Sequence, residues 1–239
     1  MNLLMSQRSD KGHKHETNED SCLVAHNHQL CAVADGMSVT HGDVASQLAV
    51  KVLEEYFSAS SGDKKGCDTI LHEAVHAANF TLHRYAMAHP TLLGMGTTIT
   101  AVKLMKNEAF IAQVGDSCCF KVSPNHIQRL TEIHTTFLGK DRTPTLSRSV
   151  GIEAQVEVDL IKTQITSDDF LLLCTDGLSQ FLDCEEFLRI FQFHQAWAQP
   201  RSQATLERIS NELIRAARIR GSNDDITIVI CHNQTTQPL

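Results

Sequence analysis

The amino-acid sequence predicts an α+β fold in which two antiparallel sheets pack face to face between pairs of helices. Strand-like runs follow one another through turns instead of alternating with single helices, and the helical segments occur in pairs. This order favours antiparallel sheets covered by helices over a doubly wound parallel sheet. The runs 170–174 and 226–231 are apolar almost throughout, which predicts strands that are buried on both faces.

The first half of the chain predicts a hairpin, two helices and three further strands. Asn27-His28 is a suitable turn between two strand-like runs. Apolar residues recur at helical spacing after His41, and Asp68 is a suitable N-cap for a second helix that ends before Pro90. The predicted bounds are strands 21–26 and 29–34, helices 41–58 and 68–89, and strands 97–105, 108–114 and 118–122.

The second half of the chain begins with a polar, weakly patterned stretch, 131–147, which is interpreted as an irregular loop. Two strands, two helices and a final strand follow. In the second of these helices Leu206, Ile209 and Leu213 recur on one face, and Gly221 ends it. The predicted bounds are strands 155–162 and 169–174, helices 184–195 and 202–219, and the strand 226–231.

Length and charge restrict the class of protein. The 239 residues suffice for one large domain or two small ones. The formal net charge of −7 argues against nucleic acid as a partner, because nucleic acid selects a basic face. No apolar run approaches the ~18 residues of a membrane helix, and Met1–Ser9 lacks the apolar stretch of a signal peptide. The sequence therefore predicts a cytoplasmic protein that binds neither nucleic acid nor membrane.

The cysteines are interpreted as reduced core residues. None of them forms a C-x-x-C pair, and most lie in apolar strand-like runs, where a thiol packs as a small hydrophobe. Disulfides are rare in cytosolic chains of this size. The eight positions are 22, 31, 67, 118, 119, 174, 184 and 231.

Five short acidic motifs stand at the ends of predicted strands. Asp35, Asp116 and Asp176 follow their strands, whereas Asp20 and Asp224 precede theirs. The end of one antiparallel strand lies beside the start of its neighbour, so all five are expected at one rim. One Asp-Gly after a strand is commonly only a turn, but crowded carboxylates need a cation, and oxygen ligands select Mg²⁺ or Mn²⁺ over zinc. The five motifs together predict a metal-dependent enzyme.

Six longer motifs follow one another along nearly the whole chain. They are Ser9-Asp10-Lys11-Gly12 to Asn18-Glu19-Asp20-Ser21, Val33-Ala34-Asp35-Gly36-Met37, Gly94-Met95-Gly96-Thr97-Thr98, Val114-Gly115-Asp116-Ser117, Leu171 to Leu178 (with Asp176-Gly177), and Asp224-Asp225-Ile226-Thr227. In this order they resemble the motifs of the metal-dependent protein serine/threonine phosphatases of type 2C (PPM), in their compact bacterial form.

The resemblance implies a four-layer α-ββ-α sandwich, in agreement with the strand pattern. It also implies a single catalytic domain over residues 1–239, with a short flap at about 131–147. The implied reaction is hydrolysis of phosphoserine and phosphothreonine by direct attack of a water that bridges two ions, Mn²⁺ or Mg²⁺, with a conditional third. The implied partners are phosphorylated proteins, the substrates of a cognate serine/threonine kinase, and the expected state is a monomer.

The resemblance also assigns the metal ligands. The implied set is Glu19, Asp20, Asp35, Gly36, Asp116, Asp176 and Asp224. Asp35 would bridge the two catalytic ions, and Asp176 and Asp224 would hold the first. The Gly36 carbonyl and the Glu19/Asp20 pair would serve the second, partly through water. Asp116 with Asp176 would offer the third position.

Two departures from the family pattern affect the substrate side. In the family, an arginine three residues before Asn-Glu-Asp usually makes a bidentate contact with the substrate phosphate. This sequence has His15 at that position. Arginine offers a planar, permanently charged grip, whereas histidine is cationic only when its pKa allows. Lys11, His13 or Lys14 is the alternative cation. The usual Gly-Gly-His is replaced by 38–41, and His41 is a candidate proton donor to the leaving serine oxygen.

Two alternative functions follow from the same sequence. The altered substrate side is compatible with a binding module, a degenerate phosphatase that senses phosphoproteins without cleaving them. His72-Glu73-Ala74-Val75-His76 fits H-E-x-x-H, the zinc peptidase motif. The third ligand of that motif is missing, because Leu82 stands at its position and His83 is displaced by one residue.

Overall fold

The computed structural model describes residues 2–37, 41–60, 62, 64–138, 143–198 and 201–234. The strands are β1 Asn2–Asp10, β2 Asp20–Ala25, β3 Leu30–Met37, β4 Gly96–Thr97, β5 Ile99–Met105, β6 Glu108–Val114, β7 Cys118–Ser123, β8 His126–Arg129, β9 Thr135–Leu138, β10 Thr143–Leu146, β11 Asp159–Gln164, β12 Phe170–Cys174 and β13 Ile226–Gln234. The helices are α1 Gly42–Ala59, α2 Cys67–Ala88, α3 Asp176–Ser179, α4 Cys184–Phe193 and α5 Gln203–Ile219.

Two antiparallel sheets form the centre of the molecule. One has the strand order β1-β13-β12-β7-β8, and the other has the order β11-β6-β5-β3-β2, with β4 paired to β3. Apolar side chains of α1 and α2 pack on the second sheet, whereas those of α3, α4 and α5 pack on the first. A third apolar layer lies between the two sheets. The predicted α-ββ-α sandwich is therefore confirmed.

Strand β13 shows why its sequence is apolar almost throughout. Ile228 and Ile230 contribute to the layer beneath the helices, whereas Val229 and Cys231 contribute to the layer between the sheets. Because successive side chains of a strand point to opposite faces, a strand covered on both sides needs apolar residues at every position. The predicted burial on both faces is confirmed.

The cysteines are free thiols, as expected. Cys31, Cys119 and Cys231 lie in the layer between the sheets, and burial holds the pKa of the Cys119 thiol well above its usual range. Cys118 and Cys174 are also buried, whereas the other three are half-buried. The buried thiols pack as small apolar groups.

Several helix ends follow local sequence signals. Ser202 caps α5, because its hydroxyl accepts the Thr205 N–H, and Gly221 follows the helix with a φ of 96°. The N-cap prediction for α2 was wrong. Gly66 precedes that helix, and Asp68 lies in its first turn, where its carboxylate accepts the Thr69 N–H. Aspartate still faces the positive end of the helix dipole there.

One loop prediction and two strand predictions need correction. The stretch 131–147 is not irregular throughout, because β9 and β10 pair within it, Thr135 opposite Leu146. The strand predicted at 155–162 begins later, at Asp159. Strand β1 was missed because its second half is polar; it pairs with β13, which only the folded chain brings alongside.

Parts of two predicted segments, 38–40 in the loop before α1 and 139–142 in the flap, lie outside the described residues. Among the helices described, none combines the length and apolar character that a membrane crossing requires.

Candidate metal centre

The ends of strands from both sheets bring the predicted acids together. Asp20 and Asp35 lie opposite each other in the register of β2 and β3. Asp176 starts α3 just after β12, and Asp224 precedes β13. Strands β12 and β13 pair with each other in the sheet that does not contain β2 and β3. Asp116 lies in the turn after β6. The expectation that all five share one rim agrees with this arrangement.

A cavity of about 450 Å³ opens at this rim. Its described lining combines five carboxylate side chains with Lys14, His15 and residues of the flap. The lining consists of Lys14, His15, Glu19, Asp35, Gly36, Met37, Thr98, Asp116, Thr135, Pro144, Thr145, Leu146, Asp176, Gln180 and Asp224. Of the predicted ligands, Asp20 alone is missing from this lining. It lies behind the cavity, where its Oδ2 accepts the Thr175 hydroxyl at 2.8 Å.

The backbone of Asp35 is held by a network of threonines. The Thr98 hydroxyl accepts the Asp35 N–H at 3.0 Å, and the Thr97 hydroxyl donates to the Asp35 carbonyl at 2.9 Å. Thr98 Oγ1 in turn lies 2.7 Å from Ser117 Oγ, next to Asp116. The Thr97-Thr98 motif therefore fixes the strand end that presents Asp35.

Gly36 and Gly42 allow a close approach between β3 and the start of α1. A Cβ added to Gly36 would lie 2.0 Å from the Gly42 carbonyl oxygen. A Cβ added to Gly42 would lie 2.7 Å from both the Gly36 carbonyl oxygen and Glu19 Oε2. These two oxygens therefore lie near each other beside the start of α1, as expected for two ligands of one ion.

The buried carboxyl groups raise one another's pKa values. Burial, followed by the charges of Asp20, Asp176 and Asp116, holds the pKa of Asp35 well above its usual range. Burial, then Asp176 and Asp224, raises the pKa of Asp116 to about 6. For Asp20, burial is again the largest cause, and its pKa rises to about 8. Like charges gathered in a buried site disfavour ionisation unless a cation is present.

Two neighbouring side chains contact the acids on the solvent side. Lys14 Nζ donates to Asp224 Oδ2 at 2.7 Å, and Gln180 Nε2 donates to Asp176 Oδ2 at 2.7 Å. Burial opposes the charge of Lys14, but the hydrogen bond and charge of Asp224 outweigh it, and the pKa of Lys14 is raised. Lys14 is therefore a permanent cation at the mouth of the cavity.

The two histidines predicted for the substrate side have different positions. His15 lines the cavity. Its Nδ1 atom lies 3.6 Å from Glu19 Oε2 and 3.7 Å from Asp225 Oδ2, and this atom has no hydrogen-bond partner in the described part of the chain. His41 lies directly before α1 and is not in the described lining. Its role as a proton donor stays a prediction.

Asp225 was not singled out from the sequence, yet it holds the loop that carries Lys14 and His15. It is 4% exposed, and its two oxygens accept the N–H groups of Gly12 at 2.8 Å and Glu19 at 2.7 Å. The signal was present as the second acid of Asp224-Asp225. Adjacent residues point in different directions, so only one of the pair faces the cavity.

Replacing Asp225 with alanine should lower the free energy of unfolding by roughly 2–5 kcal/mol, because two buried N–H donors lose their acceptor. Urea unfolding in EDTA measures this loss. The matched control is Glu16→Ala in the same loop, an exposed residue whose replacement should cost far less. A loss below about 1 kcal/mol for Asp225→Ala would contradict the role of Asp225 as the anchor of this loop.

A second network holds the Gly115-Asp116 turn and the flap. The Gly115 N–H donates to His134 Nδ1 at 3.2 Å, which leaves the proton on Nε2, 3.1 Å from Asp159 Oδ2. Arg148 donates to Asp159 Oδ1 at 2.6 Å and pairs with Glu157. Arg148 therefore joins Asp159 and Glu157 at the base of the flap, which indicates a structural role.

The donor set fits divalent cations that prefer oxygen. Five carboxylates from both sheets and the Gly36 carbonyl converge on one cavity, and no cysteine lines the described part of it. The raised pKa values of Asp35 and Asp116 mean that nearby positive charge would favour the ionised form of both groups. Such sites suit Mg²⁺ or Mn²⁺ better than zinc.

Comparison with known proteins identifies the family. Residues 10–213 match the family model for protein phosphatase 2C. The chain is 29% identical to the serine/threonine phosphatase stp of Listeria monocytogenes, and the match covers 96% of both chains. The crystal structure of the Mycobacterium tuberculosis serine/threonine phosphatase PstP/Ppp matches with a TM-score of 0.82 at 27% identity, over 98% of this chain and 99% of that one. The catalytic domain of PstP in complex with two manganese ions matches with a TM-score of 0.79 at 28% identity, over 96% and 97%. The chain therefore belongs to the protein phosphatase 2C family.

Proposed function

We propose that the protein is a phosphatase that removes phosphate from phosphoserine and phosphothreonine residues of proteins, and that it depends on two divalent cations, Mn²⁺ or Mg²⁺. Membership of the protein phosphatase 2C family supports the reaction. The observation that carries the proposal is the convergence of carboxylates from both sheets in one cavity. No observation favours a module that only binds phosphoproteins, since every predicted acid except Asp20 lines this cavity.

The ligand roles are part of the proposal. Asp35, whose ionisation is opposed by burial and by the charges of Asp20, Asp176 and Asp116, would bridge the two ions. Asp176 and Asp224 would serve the first ion, and the closeness of Glu19 Oε2 to the Gly36 carbonyl oxygen beside Gly42 supports the assignment of these two to the second. Two further acids complete the set: Asp20 acts from behind the cavity, and Asp116 with Asp176 offers a third position.

When bound, the two ions lower the pKa of a water molecule and withdraw charge from the phosphoryl oxygens. The chain itself positions the reacting groups. The threonine network holds Asp35 at its strand end, and Gln180 orients Asp176. A substrate phosphate enters on the side of Lys14 and His15, where the positive charge of Lys14 compensates part of its own.

The metal requirement gives the direct test. Purified protein with Mn²⁺ should hydrolyse a phosphothreonine peptide, and EDTA should abolish the reaction until Mn²⁺ is added in excess. Phosphate release measures the rate. Full activity that survives EDTA dialysis would exclude the proposed function, as would the absence of activity with either Mn²⁺ or Mg²⁺.

Replacing His15 with arginine should lower the KM for the same peptide by about tenfold, because a bidentate, charge-assisted pair is worth more than ~1 kcal/mol over the single hydrogen bond that an imidazole donates. Steady-state kinetics of His15→Arg and His15→Gln measure the effect. The glutamine variant serves as the neutral control, and its KM should rise. Equal KM values in both variants would show that Lys14 binds the phosphate without help from position 15.

The substrates, the oligomeric state and the cellular compartment are also part of the proposal. Phosphoproteins modified by a partner serine/threonine kinase are the substrates, and the protein acts as a monomer in the cytoplasm, as a single catalytic domain over residues 1–239. The eight free thiols support a reducing compartment. The β9–β10 hairpin, whose residues Thr135, Pro144 and Leu146 line the cavity, forms the described part of the flap.

A further inference from the structure

Two histidines of α2 lie away from the carboxylate cavity and belong to the motif His72-Glu73-Ala74-Val75-His76. Residues four apart on a helix share one face. The Nε2 atoms of His72 and His76 are 3.1 Å apart, whereas the ring centroids are 4.3 Å apart. The two rings therefore turn their Nε2 edges towards each other.

The other features of a zinc peptidase are missing around this pair. Both carboxylate oxygens of Glu73 accept hydrogen bonds from Lys65 Nζ at 2.8 Å, and Oε2 also accepts the Tyr56 hydroxyl at 2.9 Å. Glu73 is thus bound as a structural acceptor. Within the described ranges, no third His, Cys, Asp or Glu forms a metal-binding group with His72 and His76.

We propose that His72 and His76 form a surface chelate for a late divalent transition metal, Cu²⁺, Ni²⁺ or Zn²⁺, separate from the carboxylate centre. Two nitrogens at this 3.1 Å separation, each about 2.1 Å from a metal, subtend about 95° at the ion. That angle is close to the right angle between neighbouring ligands of a tetragonal site. Affinity for nitrogen ligands is highest for Cu²⁺, so Cu²⁺ is expected to bind best.

The protonation and ligand type of the pair suit this role. Burial and then the neighbouring His72 lower the pKa of His76, so its ring is neutral at pH 7 and offers a lone pair without losing a proton. Imidazole suits copper, nickel and zinc, whereas the carboxylates of the cavity suit magnesium and manganese. The two sites therefore select different metals, with water completing the coordination at the histidine pair.

The test is electron paramagnetic resonance of the full chain with one equivalent of Cu²⁺, in excess Mg²⁺ to occupy the carboxylate centre. The wild-type spectrum should show hyperfine structure from two nitrogens. His72→Gln and His76→Gln should each retain at most one nitrogen and bind Cu²⁺ about tenfold more weakly or worse, because one imidazole forms no chelate.

Two controls keep the result specific. His126→Gln, an exposed histidine of β8, should leave the two-nitrogen spectrum unchanged. The α2 variants should keep the melting temperature in EDTA and the Mn²⁺-dependent phosphatase rate of the wild type, because both side chains are half-buried and lie outside the cavity. A wild-type spectrum with fewer than two nitrogens, or one that both α2 variants leave unchanged, would overturn the proposal. Its failure would leave the phosphatase function untouched, since the two sites share no residue.

Discussion

Replacing Asp35 with asparagine should lower kcat/KM for a phosphothreonine peptide by about a thousandfold or more. Asp35 is a buried carboxyl group whose ionisation the charges of Asp20, Asp176 and Asp116 oppose, and its loss would remove the proposed bridge between the two ions. Metal catalysis of this kind supplies several kcal/mol of transition-state stabilisation, and ~4 kcal/mol corresponds to a thousandfold. Phosphate release at saturating Mn²⁺ measures the effect, with Glu16→Gln as the control.

The same variant should be more stable than the wild type when metal is removed. The Asp35 carboxyl group is buried, and the charges of Asp20, Asp176 and Asp116 oppose its ionisation. An amide of the same shape removes that repulsion, so the melting temperature in EDTA at pH 7.5 should rise. Excess Mn²⁺ should reverse the order, because it binds the folded wild type more tightly. A variant that is inactive and also less stable in EDTA would indicate misfolding instead of the loss of a ligand.

Stability in EDTA should fall as the pH rises from about 4 to 8. A carboxyl group whose pKa is higher in the folded protein binds more protons when folded. Its contribution is therefore fully present below the unfolded pKa and is lost as the pH rises through the folded pKa. The folded pKa values are about 6 for Asp116 and about 8 for Asp20, which place the upper end of the window.

The size of this effect follows from the shift of Asp116. A rise from about 4 to about 6 corresponds to roughly 3 kcal/mol. Urea unfolding in EDTA at pH 4.5 and pH 8, for the wild type and Asp116→Asn, measures it. The stability difference between the two proteins should grow in favour of the variant as the pH rises, and Mn²⁺ should abolish that growth. A difference that does not change with pH would contradict the raised pKa of Asp116.

Local patterns in the sequence were sufficient to predict most of the fold. Apolar runs on strands such as β12 and β13 determine burial on both faces, and they therefore predicted two packed sheets under helices. Strand β1 escaped detection because its partner β13 lies more than 200 residues away in the chain. Six of its nine pairing residues are polar, and only main-chain hydrogen bonding to β13 makes them a strand.

The features of the candidate site likewise divide into those that the sequence predicts and those that depend on the tertiary structure. By itself, the sequence determined which acids end strands and which metals such oxygen ligands select, because strand periodicity and ligand chemistry are local properties. Only the tertiary structure decided that Asp20 lies behind the cavity, that Asp225 anchors a loop beside the proposed ligand Asp224, and that the Nε2 atoms of His72 and His76 face each other. These facts depend on side-chain direction and on contacts between residues far apart in the chain, which are determined when the two sheets pack together.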